Sequence, residues 1–354
     1  MDETFSKAKS MVFPRNVLAG HDVLEDAGEV CLSFGFRGSA VIVTGPTTSE
    51  IAAGKIYTSL ADKGFSVQII ETGAATMENA ESVLEECKEI DPDFIMAVGG
   101  GSKIDISKMV SANLGVPFIS VPTSAAHDGI ASPRASIKSN GKSKSIKANV
   151  PMGVIADTGV IAKAPYRALA SGCADVISNV TAIMDWQLAN RLRNEPISTF
   201  AITLADMTAR VILENSKSIK PNLEDSVWIA IRPLIVSGVA MSVAGTSRPT
   251  SGSEHMFSHA LDIIAPGKAM HGEQCGVGAI LMSYLHGSDW KRIRNALQDI
   301  GAPTSASGLG VSDEELIHAL VMAHKIRPER YTILGDKGLN TEAAYRLATV
   351  TKVI

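Results

Sequence analysis

Cysteine is scarce in this chain, and its four copies stand far apart. Cys31, Cys87, Cys173 and Cys275 make no Cys-x-x-Cys pair. That spacing argues against a zinc finger and a disulfide framework, so a reducing, cytoplasmic compartment fits. Aromatic residues are only 5% of the 354 residues. Nowhere do about 18 apolar residues run together, so no transmembrane helix and no membrane insertion is expected. The longest apolar helical stretch, 229–243, is interrupted by Arg232 and Pro233 and reads as a buried helix. The start, MDETFSKAKSMVFP, lacks the apolar run of a signal peptide. A basic excess is missing too: 33 Lys and Arg stand against 37 Asp and Glu, a net charge of -4, so nucleic acid is not an expected partner. There is no internal repeat and no low-complexity tail.

What is present is an ordinary globular mixture, 45% hydrophobic and 20% charged, with 30 glycines. Length suggests two domains. Up to about residue 160, short β-branched runs alternate with helical stretches. SAVIVTG, FSVQIIETG, FIMAVGGG, VPFISVPT and GVIAD read as strands, and 48–63, 77–90 and 102–114 as helices. This rhythm predicts a parallel sheet covered by helices. Between them, 132–150 breaks the pattern, and Asn140-Gly141 marks a two-residue hairpin turn. From Pro165 onward the strand signal almost vanishes. Helical patterns follow at 171–193, 199–216, 223–244, 252–264, 274–286, 289–300, 313–325 and 341–349. The expected fold is an α/β domain with a parallel sheet over 1–161, then an all-helical domain over 162–354.

Three clusters carry chemistry. Gly99-Gly100-Gly101-Ser102 follows an apolar strand and precedes a helix. Glycines there let a backbone approach a phosphate, and the helix N-terminus stabilises the anion. The run is neither GxGxxG nor a P-loop, and a turn needed only for packing is the alternative. Thr123-Ser124-Ala125-Ala126-His127-Asp128 also follows a strand, as a cofactor contact or as a structural turn. The sharpest signal is GSEHMFSH: His255 and His259 are four apart and share a helical face. His271 lies 16 residues after His255, and Asp175 sits in GCADVISN, in the first long helix of the helical half. One carboxylate and two imidazoles suit zinc or iron. Core or surface histidines are the alternative. Glu254 precedes the first histidine, so the HExxH pattern of a zinc protease is absent.

The motifs GGGSKID, PTSAAHDGIAS, GCADVISN, RPTSGSEHMFSHALD and HGEQCG, in this order, resemble those of the archaeal sn-glycerol-1-phosphate dehydrogenases. That family lies within the wider group of glycerol dehydrogenases, dehydroquinate synthases and iron-containing alcohol dehydrogenases, and the likeness spans nearly the whole chain. The resemblance implies an active site in the cleft between the two domains, with one zinc per subunit on Asp175, His255 and His271. It places His259 and Asp128 against the substrate as catalytic residues, and counts Asp175 among the groups that meet it. NAD(H) or NADP(H) would lie on Gly99, Gly100, Gly101, Ser102 and Lys103, with Thr123, Ser124, Ala125, Ala126 and Ser132 further along. The implied reaction is reversible reduction of dihydroxyacetone phosphate to sn-glycerol 1-phosphate, the backbone of archaeal ether lipids, in a homo-oligomer.

A substrate phosphate calls for arginine or lysine. Arg248, just before the SGSEH helix, is the first candidate; pairing with a carboxylate is its alternative. Lys138, Lys142, Lys144 and Lys147 read as a solvated hairpin, or as a flap over the cleft. Glu71, at a strand end, leans toward NADH without excluding NADPH. The alternatives are a glycerol dehydrogenase acting on unphosphorylated substrate, or an inactive nucleotide-binding scaffold.

Overall fold

The computed structural model describes residues 11–139 and 142–354. Its first part runs β1 (Asn16–Gly20), α1 (Ala27–Ser33), β2 (Ser39–Thr44), then a helical stretch of α2 (Pro46–Thr48), a π-helical turn (Ser49–Ala53) and α3 (Gly54–Asp62). It continues with β3 (Ser66–Glu71), α4 (Met77–Ile90), β4 (Phe94–Gly99), α5 (Gly101–Leu114), β5 (Phe118–Pro122), the hairpin strands β6 (Arg134–Ser139) and β7 (Lys142–Lys147), and β8 (Gly153–Asp157). Six strands form one sheet in the order β1-β8-β5-β4-β2-β3, every pair parallel. Strands β6 and β7 pair antiparallel with each other.

The apolar runs become strands because both sheet faces are covered. Along β4, Ile95 and Ala97 join the core under α4 and α5, while Phe94, Met96 and Val98 join the core under α1 and α3. This is the period-2 alternation of a pleated strand buried on both sides. Strand β1 is absent from the sequence reading. It is a half-exposed edge strand of five residues whose pattern is too short to read alone, and β8 recruits it, Asn16 opposite Gly153 through Gly20 opposite Asp157. The expected turn residues Asn140 and Gly141 lie outside the described residues; the strands that flank them pair through Ser139 and Lys142.

After β8 the described residues hold helices only: α6 (Thr158–Lys163), α7 (Tyr166–Arg193), α8 (Thr199–Asn215), α9 (Glu224–Ala244), α10 (Ser253–Ile264), α11 (His271–Leu285), α12 (Trp290–Ile300), α13 (Ala306–Leu309), α14 (Asp313–Met322) and α15 (Thr341–Val350), with short 3-10 turns. Two helices start earlier than their apolar periodicity suggests. Helix α7 begins right after Pro165, which stands at its N-cap. Helix α11 begins at His271, because the Glu273 carboxylate turns back to accept the Met270 N–H at 2.8 Å. Helix α9 is long and apolar enough to cross a membrane, but 67% of that stretch is buried within the fold.

One apolar core runs unbroken from the α4–α5 face of the sheet through the helical half. Where the halves meet, two helical glycines let backbones touch. A Cβ on Gly172 of α7 would stand 2.0 Å from the Ala125 carbonyl oxygen, and one on Gly238 of α9 would stand 2.7 Å from that of Asp128. Both carbonyls belong to the loop after β5, so the seam passes through a segment that the sequence had singled out.

Candidate active site

Two loops at the carboxyl ends of β4 and β5 lie against each other. Gly99 has φ 155°, and a Cβ there would stand 2.5 Å from Lys103 Cγ. A Cβ on Gly100 would meet Ser124 Oγ at 3.2 Å, and one on Gly101 would meet His127 Nε2 at 2.1 Å. The Thr123 N–H donates to the Gly99 carbonyl at 3.1 Å. Gly100 is the N-cap of α5, and Gly101, Ser102 and Lys103 form its first turn. The geometry is that of an anion cradle at a helix N-terminus. The Lys103 ammonium donates to the Gly73 carbonyl, tying this turn to the end of β3. Ser124 and Ala126 remain partly open, while Thr123 and Ala125 are buried. Glu71 ends β3 with its side chain in solvent.

Ser132 is enclosed rather than open. Its hydroxyl accepts from Lys108 Nζ at 3.2 Å and donates to the Arg134 carbonyl at 3.2 Å. Lys108 is fully buried. Its ammonium also bonds Asp105 and the carbonyls of Gly129 and Arg134. A buried cation persists only when its donors are met in this way, and here it pins the loop after β5 to α5. Its sequence signal, a lysine three residues after an aspartate in an amphiphilic helix, is indistinguishable from that of a surface pair.

Asp175, in the middle of α7, carries the centre of the site. Its Oδ2 accepts the Asp128 N–H at 3.0 Å. Its Oδ1 is buried without a hydrogen-bond partner. That oxygen faces His255 Nε2 and His271 Nε2, each at 3.8 Å. Both rings are held from behind. His255 Nδ1 lies 2.9 Å from Glu254 Oε1, and Glu254 accepts further bonds from the Gly252 N–H and the Thr181 hydroxyl. His271 Nδ1 lies 3.1 Å from Ser258 Oγ, whose own proton goes to Gln274 Oε1 at 2.6 Å. Each Nδ1 therefore carries the hydrogen, and each Nε2 turns a lone pair inward. Two imidazole lone pairs and an unpartnered carboxylate oxygen converging in a buried space fit a divalent cation. Cys275, one turn beyond His271, belongs to the same cluster: one donor atom from each of the four residues lies within 4.8 Å of the others. Sequence reasoning passed over Cys275, although its i+4 spacing from His271 on a helix was visible.

The electrostatics suit a cation site. Burial pushes the Asp175 carboxyl up to about 7, against the bond from Asp128 N–H and aided by Glu254. Asp128 rises to about 7, through burial and the nearby Asp175. Burial, then the neighbouring His271 and the Arg327 guanidinium, hold His255 and His259 well below the usual imidazole range. His259 follows His255 by one turn of α10 and stacks on the His271 ring, centroids 5.9 Å apart. Asp128 Oδ2 accepts from the Ser237 hydroxyl at 2.9 Å.

Arg248 is placed otherwise than expected. It is 3% exposed, its guanidinium forms a two-pronged pair with Glu195, and its third nitrogen donates to the Tyr331 carbonyl at 2.9 Å. The pairing satisfies its charge and engages all three of its nitrogens. The N–H groups of Gly252 and Ser253, in the turn that follows, are also taken, by Glu254 and by Asp185. The described hairpin lysines Lys138, Lys144 and Lys147 point to solvent.

Comparison with known proteins gives concordant results. A family model described as iron-containing alcohol dehydrogenase matches residues 18–165. The glycerol-1-phosphate dehydrogenase, NAD(P)+, of Methanosarcina mazei is 54% identical over 349 residues, 99% of this chain and 98% of its own length. The protein of the same name from Methanothermobacter thermautotrophicus is 53% identical over 346 residues, 98% of this chain and 99% of its own. Among solved structures, glycerol dehydrogenase from Schizosaccharomyces pombe matches with a TM-score of 0.78 at 20% identity, over 98% of this chain and 91% of that one. A probable glycerol dehydrogenase from Sinorhizobium meliloti matches with a TM-score of 0.79 at 17% identity, over 97% and 98%. At such identities the likeness is one of fold.

Proposed function

This chain belongs to the glycerol-1-phosphate dehydrogenases, within the iron-containing alcohol dehydrogenase group, and from that premise we propose that it reduces dihydroxyacetone phosphate reversibly to sn-glycerol 1-phosphate. NADH or NADPH is the reductant, and one zinc ion per subunit sits on Asp175, His255 and His271. The observation that carries this reading is the orphaned Asp175 Oδ1 facing two inward Nε2 atoms. Oxygen and imidazole donors in a largely buried cluster are a zinc set, and such an ion would supply Lewis-acid polarisation of the ketone oxygen. The nicotinamide supplies the hydride, and the chain's task is placement.

Each part of the chain has a role in this scheme. The turn 99–103 holds the cofactor's pyrophosphate through α5 N–H groups and the close backbone that the glycines permit, and the loop 123–126 meets the cofactor further along. Glu254 and Ser258 keep His255 and His271 in the tautomer that presents Nε2. His259, next to His271 and neutral, relays a proton from water to the oxygen at C2, taking one up as it gives one, or orients that oxygen by hydrogen bonding. Asp128, held by Ser237, bonds a substrate hydroxyl. Residues 1–161 form the nucleotide domain and 162–354 the metal and substrate domain. The product is the glycerol backbone of archaeal ether phospholipids, made in the cytoplasm. A homo-oligomer is part of the reading, supported by apolar side chains left in solvent on α8, Phe200 and Met207.

The test is oxidation of NADH and NADPH, followed by nicotinamide absorbance, with dihydroxyacetone phosphate or dihydroxyacetone, after chelation and after return of zinc or iron(II). An enantiomer-specific assay assigns the product. Zinc-dependent turnover of the phosphorylated ketone to the sn-1 product is expected. Equal turnover of dihydroxyacetone would instead make the chain a glycerol dehydrogenase. No turnover by zinc-loaded, folded protein would favour a nucleotide-binding scaffold.

A further inference from the structure

With Arg248 neutralised by Glu195, the substrate phosphate needs other cations. The segment after α14 supplies them. Arg327 and Arg330 are both partly buried. Among the described residues no carboxylate lies within 4.0 Å of either, the reach of an ion pair. Their partners are neutral. Arg327 Nη1 reaches Ser251 Oγ at 3.5 Å, and Arg330 donates to the Ser251 carbonyl and, at 3.0 Å, to Ser247 Oγ. These contacts occupy three of the ten N–H groups that two guanidiniums carry.

We propose that Arg327 and Arg330 form the phosphate-binding subsite of this active site, above the turn 247–252 that leads into α10. The inference rests on the activity proposed above and names the group that distinguishes its substrate. The placement supports it. The turn that both arginines touch opens directly into the helix carrying His255 and His259. Glu195, Glu254 and Glu329 attract these guanidiniums only from beyond ion-pair reach; cations in a partly dry space are costly unless an anion in contact completes them, and a phosphate monoester carries close to two negative charges. Crowding by Arg327 and Arg248, after burial, brings the Arg330 guanidinium down to about 9, so it remains charged at neutral pH. Arg248 has a positioning role, since its bond to the Tyr331 carbonyl fixes the residue next to Arg330. Asp185 does the same further on, accepting the Ile333 N–H at 2.7 Å.

An unphosphorylated ketone would leave both forks unmatched, and a site built for a polar group discriminates strongly against analogues that lack it. The experiment compares kcat/KM for dihydroxyacetone phosphate and for dihydroxyacetone in wild type, R327Q and R330Q, with inorganic phosphate as a competitive probe. Loss of one charged hydrogen-bonding partner should lower the ratio of the two kcat/KM values about 10- to 150-fold. It should also weaken inhibition by inorganic phosphate by a similar factor. If either glutamine variant fails to fold, R327K or R330K keeps the charge without the fork and should show a smaller fall of the same sign. A ratio unchanged in both variants overturns the proposal, even if both rates drop, because a merely structural role lowers them together. Failure of the activity itself looks different: wild type would then show no preference for the phosphorylated ketone.

Discussion

Gly238→Ala isolates the seam between the halves, because two effects of opposite sign meet there. Gly238 is inside α9, where alanine is the better helix former by about 1 kcal/mol. On helix propensity alone the variant would be more stable than wild type. The structure predicts the reverse. The new methyl would lie 2.7 Å from the Asp128 carbonyl oxygen, 2.8 Å from Ser132 N and 2.9 Å from Ala131 C, against ordinary contact from 3.4 Å. All three are backbone atoms, so no side chain can swing away, and the loop or the helix must retreat by roughly 0.7 Å. Overpacking of this kind costs about 1–3 kcal/mol, which offsets the helix gain and leaves a net loss of about 0–2 kcal/mol. The kinetic effect should be larger. The displaced loop carries Asp128, whose N–H holds Asp175 in place, and a misplacement near 1 Å can cost about 100-fold in rate. Urea melts and kcat/KM on zinc-loaded protein read both quantities. A G238A protein that is about 1 kcal/mol more stable and fully active would refute the close approach and the coupling of the seam to the site.

Three further outcomes are expected. Chelation should abolish turnover and lower Tm by several degrees, since the ion binds only the folded site; Asp175→Asn should also lose turnover yet raise the Tm of chelated protein, because an amide relieves the unpartnered buried carboxylate, and a lower Tm there would contradict the orphaned Oδ1. Arg248→Ala should destabilise by about 2–4 kcal/mol, as breaking a largely buried pair does, while altering the preference for the phosphorylated ketone less than R327Q does; a normal urea midpoint with a large rise in KM would return Arg248 to the substrate. His127 is held down to about 3, by burial first and then by His271 and Lys108, with Nδ1 accepting the Gly129 N–H at 2.9 Å. Its folded value is below its unfolded one near 6.5, so the stabilisation is complete above about pH 6.5 and falls as pH drops toward 3. Urea midpoints should show about 1–2 kcal/mol lost by pH 5, and a slope in H127Q as steep as in wild type would exclude His127 as its source.

The chain's own pattern determined the architecture. Continuous apolar runs ending in glycine specify strands of a parallel sheet, and the 3.6-residue rhythm after Pro165 specifies helices, because each pattern states how many faces an element must bury. It also named Asp175, His255, His271 and the glycine turn, since ligand chemistry and a close backbone approach each demand few residue types. Residues that matter only through a distant partner stayed hidden. Cys275 reads as a core cysteine until α11 is set against α7 and α10. Gly172 and Gly238 are ordinary helix glycines until a loop presses on them. Arg248 and Arg330 are both arginines in polar contexts, and only the fold pairs Glu195 with one and leaves the other, among the described residues, without a carboxylate in ion-pair reach. Local pattern encodes burial and periodicity, whereas the pairing of charges across the chain is set by which surfaces the tertiary packing brings face to face.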